Sequence, residues 1–114
     1  MEKYTEKYDY ELYRIKADFC KILADPTRQM MIAELRTGEK TVGEIAEALE
    51  IVQSMASHHL AILRGKGVVE ARREGANVYY SLVNPKIGEA CDMMHQILLA
   101  QMAKNREFAD RIIA

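Results

Sequence analysis

Tryptophan is absent from this 114-residue chain, phenylalanine occurs twice, and there are only two cysteines and two prolines. Two well-separated cysteines, Cys20 and Cys91, cannot build a disulfide framework, and neither belongs to a CxxC pair. No apolar run approaches the ~18 residues of a membrane span. The stretch from Met1 to Tyr10 is polar and tyrosine-rich, unlike a signal peptide, so the expected location is the cytoplasm. Neither sign of charge is in excess: 16 basic residues face 17 acidic ones, net −1. That balance excludes a protein that holds nucleic acid by bulk positive charge. What is present is 49% hydrophobic and 29% charged residues, enough for one folded domain with one modest core. The charge is unevenly spread. From Val52 to Asn84, Arg64, Lys66, Arg72 and Arg73 outnumber Glu70 and Glu74 for a net +2, leaving −3 on the rest. A local basic segment of this size suits a DNA-reading face in a protein that relies on dimerisation.

Both prolines sit where helices should begin. Asp25-Pro26 and Asn84-Pro85 each put a capping side chain before a proline at the first helical position, where the missing N–H costs nothing. Ahead of the first, Tyr4, Tyr8, Leu12, Ile15, Phe19 and Ile22 recur every three or four residues, predicting an amphipathic helix that ends near Ala24. A second helix is expected from Pro26 to about Arg36, stopped by Gly38. Thr41 and Glu44 form a T-x-x-E capping box for a short third helix running to about Glu50. After a break at Ile51-Val52, a fourth helix should cover roughly Gln53 to Lys66, closed by Gly67. Val68 to Arg73 and Asn77 to Val83 are β-prone, with Val78, Tyr80 and Leu82 alternating, and Glu74-Gly75-Ala76 joins them as a hairpin. From Pro85 a last helix carries Ile87, Cys91, Met94, Leu98 and Met102 on one stripe and spans about 40 Å at ~1.5 Å per residue. Such a helix outruns a small domain and needs a partner, for which a C2 homodimer is the commonest solution.

This order predicts a mainly α fold with a two-stranded β-hairpin wing: a single winged helix-turn-helix domain over residues 1–114. Segments 1–24 and 85–114 would be dimerisation helices, 41–66 the helix-turn-helix and 68–83 the wing. At about 100° per residue, Ala56, Leu60 and Leu63 of the fourth helix share one sector, with His59 at its edge, and should face the core. Ser54, His58 and Ala61 project oppositely, flanked by Ser57 and Gln53. Short polar side chains on such a face can approach base edges and phosphates in a major groove.

The segments Ala24-Asp25-Pro26-Thr27-Arg28, Val42-Gly43-Glu44-Ile45-Ala46, Gln53-Ser54-Met55-Ala56-Ser57-His58-His59-Leu60, Leu63-Arg64, Arg72-Arg73-Glu74-Gly75 and Tyr79-Tyr80 resemble the ArsR/SmtB family of prokaryotic repressors. The resemblance covers nearly the whole chain, in order. It implies a homodimer joined by its first and last helices, a palindromic double-stranded DNA operator, and release by an effector. It also implies DNA contacts from Gln53, Ser54, Ser57, His58 and Arg64, and from the wing residues Arg72, Arg73 and Asn77. The family usually starts its recognition helix with a serine where this chain has Val52. Valine cannot cap, so a later start with Ser54 as cap is expected.

The family's usual metal sites are missing. Thr41 and Gly43 stand where it places a Cys-x-Cys, and Asp92-Met-Met-His95 followed by Met102 and Asn105 breaks the pattern of its last-helix site. What remains is Cys20 on the first helix, with Cys91, Asp92 and His95 on the last. Cys91 and His95, four apart, share a helix face. Three readings stay open. The cysteines are small buried hydrophobes, or they form a thiol switch through a disulfide or persulfide. In the third, Cys20, Cys91, His95 and Asp92 hold zinc or another soft metal. No cofactor is required for the fold. His58 and His59 are adjacent and point apart, so they do not chelate. The methionines are read as core filling rather than a copper site, and Tyr4, Tyr8, Tyr10 and Tyr13 as an extension of the dimer interface. There is no phosphate loop and no nucleophile with a placed base, so an enzyme is not expected. The alternative class is a winged-helix protein-interaction module or an effector-independent regulator.

Overall fold

The computed structural model describes residues 6–113. Its elements are α1 (Tyr10–Leu23), α2 (Pro26–Leu35), β1 (Lys40–Thr41), α3 (Val42–Leu49), α4 (Gln53–Gly65), β2 (Val69–Glu74), β3 (Asn77–Leu82) and α5 (Pro85–Ile113). The capping signals act as read. The Asp25 carboxylate accepts from the Arg28 N–H at 3.1 Å, and the Asn84 side chain accepts from the Lys86 N–H at 3.0 Å. Thr41 and Glu44 exchange both bonds of a capping box, at 2.8 and 3.2 Å.

The core is one cluster drawn from three helices and the start of the wing. Met31, Ile32 and Leu35 come from α2, Ile45 and Ala46 from α3, and Ala56, Leu60 and Leu63 from α4; Val68 and Val69 close it. Each large apolar side chain removed from water in this way contributes roughly 1.5–3 kcal/mol. Helix α1 buries none of its residues.

Four expectations need correction. Helix α1 begins at Tyr10, because the Asp9 side chain accepts from the Glu11 N–H and caps it there; Tyr8 precedes the helix, and Tyr4 lies outside the described residues. The hairpin belongs to a three-stranded antiparallel sheet of order β1-β3-β2, with Lys40 opposite Tyr80 and Thr41 opposite Tyr79. Its turn is two residues rather than three: Glu74 pairs with Asn77, and Gly75 takes a φ of 61° at the first turn position, the conformation a II′ turn demands and glycine allows. Helix α4 starts at Gln53 with Val52 in the cap position and no side-chain cap bond, so Ser54 lies inside the first turn and is not the cap.

The turn between α3 and α4 is held by the backbone. Glu50 adopts a left-handed conformation (φ 55°, ψ 45°), its N–H donates to the Glu47 carbonyl, and the Ile51 N–H donates to the Ala46 carbonyl at 3.0 Å. This pair of bonds is a Schellman motif, which satisfies carbonyls a helix end otherwise leaves open. It aims α4 away from α3.

Candidate nucleic-acid interface and effector cleft

Helix α4 is amphipathic in the sense its sequence demands. Ala56, Leu60 and Leu63 are fully buried, while Gln53, Ser54, Ser57, His58 and Arg64 are exposed. The short side chains of Ser54 and Ser57 leave the helix backbone close to whatever the face meets. His59 is half-buried on the other flank, where its Nδ1 meets Arg28 Nη1 at 3.4 Å. The rings of His58 and His59 lie edge to face with centroids 5.5 Å apart, and the two point to different surroundings.

On the wing, Arg72, Arg73 and Asn77 are exposed, but the two arginines differ. Arg72 is already engaged within the chain. It bonds Glu39 and, at 2.7 Å, Glu74, and lies over the Tyr79 ring at 4.9 Å. The bond to Glu39, then the one to Glu74, holds its guanidinium above the ordinary arginine value, and the same bond lowers the Glu39 carboxyl. Register explains the arrangement, because Arg72 sits directly across from Tyr79. The Arg73 side chain makes no hydrogen bond or ion pair among the described residues.

The sensor candidates divide. Cys91, Asp92 and His95 line a cavity of about 230 Å³ between α2 and α5, facing Gln29, Met30 and Arg36. Cys20 is exposed and lines a different groove, with Tyr13 and Lys16. The protomer therefore does not bring Cys20 to Cys91, and both thiols are free. Among the described residues no three His, Cys, Asp or Glu side chains converge closely enough to hold a metal ion. Burial pushes the Cys91 thiol up from its ordinary value, with the Gln29 side chain and the Arg36 charge pulling weakly the other way. Gly88 shapes this cleft. A Cβ there would meet the Arg36 side chain at 2.6 Å, so any larger residue would push aside Arg36, which here crosses α5 to reach Asp92 at 3.6 Å.

Two residues with contacts near the site, Glu39 and Arg28, are not among those expected to act there. Glu39 gave no local signal. Arg28 gave one: it is a basic residue in the first turn of α2, where the helix dipole disfavours positive charge.

A polar, exposed second helix of a helix-turn-helix beside a β-hairpin defines the winged helix-turn-helix class of DNA-binding proteins. Comparison narrows the class. Residues 25–71 match the model described as bacterial regulatory protein, arsR family. The chain is 34% identical to a biofilm growth-associated repressor of Xylella fastidiosa over 85 residues, 75% of each protein. It is 43% identical over 68 residues to a transcriptional repressor SmtB homolog of Synechocystis, covering 60% of this chain and 52% of that one. A homodimeric winged helix-turn-helix DNA-binding domain from Mycobacterium bovis superposes with a TM-score of 0.72 at 28% identity, over 92% of this chain and 95% of that one. The chain belongs to the arsR family of bacterial regulatory proteins, whose members are DNA-binding transcriptional repressors and not enzymes.

Proposed function

We propose that the chain acts in the cytoplasm as a homodimer that binds a palindromic operator, with one α4 in each of two successive major grooves, and is released by an effector at the cleft between α2 and α5. The observation that carries this reading is the division of α4, apolar and fully buried on one side, short and polar on the other. Ser57 and His58 read base edges, with Gln53 and Ser54 beside them. Arg64, Arg73, Asn77 and, once freed from its carboxylates, Arg72 meet the backbone. Cys91 is the centre of the effector site. Its partners are His95 and Asp92 if the effector is zinc or another soft metal, and Cys20 of a second copy if it is an oxidant or persulfide donor.

The probe is a duplex selected by the protein from a random-sequence pool. Ser57→Ala and His58→Ala should each cost about 1–3 kcal/mol on that duplex and little on unselected DNA. Arg73→Ala should weaken both duplexes alike and reduce the salt slope by about one. Unchanged preference in the α4 variants sinks the groove assignment. For the effector, binding is measured with reduced protein alone, with a panel of metals, and after mild oxidation or persulfide treatment. A response that Cys91→Ser abolishes supports the cleft; no response in any condition leaves an effector-independent regulator with structural cysteines.

A further inference from the structure

Arg28 is placed against its own helix dipole, so other contacts have to hold it there. Its Nε donates to the Ile22 carbonyl at 2.7 Å, one of the carbonyls that the C-terminal end of α1 leaves without a helical partner. Its Nη1 meets His59 Nδ1 on α4 at 3.4 Å, and its own N–H is taken by the Asp25 cap at 3.1 Å. The guanidinium of this α2 residue thus reaches two other helices, α1 and α4. A guanidinium only donates, so His59 must present a lone pair at Nδ1 and carry its proton on Nε2. The charged and titratable groups around His59 are Arg28 and Asp25 from α2 and His58 from α4 itself. Among the described residues no hydrogen bond or ion pair reaches it from α3 or the wing.

We propose that Arg28 is a positioning residue for DNA recognition, fastening the C-terminal end of α1 to α4 through neutral His59. The inference rests on α4 being the helix that reads DNA. Through Arg28 the helix assigned to dimerisation and the helix assigned to the groove move as one body, which fixes the distance between the two reading helices of a dimer.

The test measures affinity for the selected duplex at about pH 8. Arg28→Ala and His59→Ala should each lose roughly tenfold at pH 8, and the double variant no more than the larger single loss. His59→Asn, whose side-chain oxygen occupies the place of Nδ1 and can accept from Arg28, should bind as the wild type does at pH 8. In the unmodified protein at pH 8, nitrogen NMR should show Nδ1 unprotonated, a readout independent of whether any variant folds. Additive losses, or a proton on Nδ1, overturn the clamp while His58→Ala still alters sequence preference. If His58→Ala changes nothing, the groove reading has failed and the proposal falls with it.

Discussion

Glu50 is the only non-glycine residue with positive φ among the described residues, and it sits in the turn that aims α4. A Cβ in the left-handed region costs about 1–2 kcal/mol, and the Schellman bonds around Glu50 hold it there. Glu50→Gly removes that cost and adds some unfolded-state entropy, so a net gain of about 0.5–1 kcal/mol in urea unfolding is expected; a loss would mean that the glutamate side chain has a role of its own. Asp25 and Glu44 make a second case. Their carboxyls lie below the ordinary value because the first accepts from the Arg28 backbone and the second bonds the Thr41 backbone. A carboxyl lowered in the folded state stabilises above its unfolded value, about 4, and that stabilisation is lost as pH falls through the folded value. Stability should therefore decline on acidification below about pH 4.5, and Asp25→Ala should flatten the decline. An equal slope in the variant would show that the cap does not titrate in that window.

At the scale of elements, Arg72 ties the wing to the segment that leads from α2 into β1. Glu39, just before β1, and Glu74, at the end of β2, both hold its guanidinium. Exposed pairs of this kind are worth little to stability, yet they decide whether the charge is available to phosphate. Glu39→Gln should leave unfolding within about 0.5 kcal/mol while strengthening binding to any duplex and steepening its salt dependence by up to about one phosphate equivalent. Filter binding at several salt concentrations checks it, and an unchanged slope would mean that Arg72 stays on Glu74. Nothing local in the sequence announces Glu39, and the same is true of β1, whose two residues become a strand only by pairing with Tyr79 and Tyr80 far along the chain. By contrast, helix starts were legible at Asp25-Pro26, Thr41-x-x-Glu44 and Asn84-Pro85, because a cap and its target lie within three residues. The early tyrosine spacing misled, since Asp9 caps α1 after Tyr8. The α4 face was readable from periodicity alone. The Cys91 cleft was half readable: spacing joined Cys91 to His95, but the α2 side of the cavity and the separation of Cys20 needed the fold.

For the whole molecule, the distribution of apolar surface is the governing fact. The protomer is flat, 58 × 50 × 22 Å, and α5, about 43 Å long at ~1.5 Å per residue, continues past the core it helps to cover. Ile87 and Cys91 pack on that core. Beyond them Met93, Met94, Ile97, Leu98, Leu99 and Met102 are each about half exposed or more, and so are Leu12 and Ile15 of α1. A helical stretch as apolar as residues 93–102 is buried in its working state, and a monomer seldom leaves so many large apolar side chains in water along one helix. The proposed second copy covers it, so dimerisation should add to the stability of the folded protomer, with a melting temperature that rises with protein concentration. Leu98→Asp, which touches none of the buried core, should shift the chain toward monomer in sedimentation and remove the concentration dependence. It should also cut affinity for the selected duplex by more than any single α4 substitution, because a monomer engages one half-site and loses the effective concentration that the second gains by linkage. A Leu98→Asp protein that stays dimeric, or a monomer that binds as tightly as the wild type, would contradict the assignment of α5 to the interface.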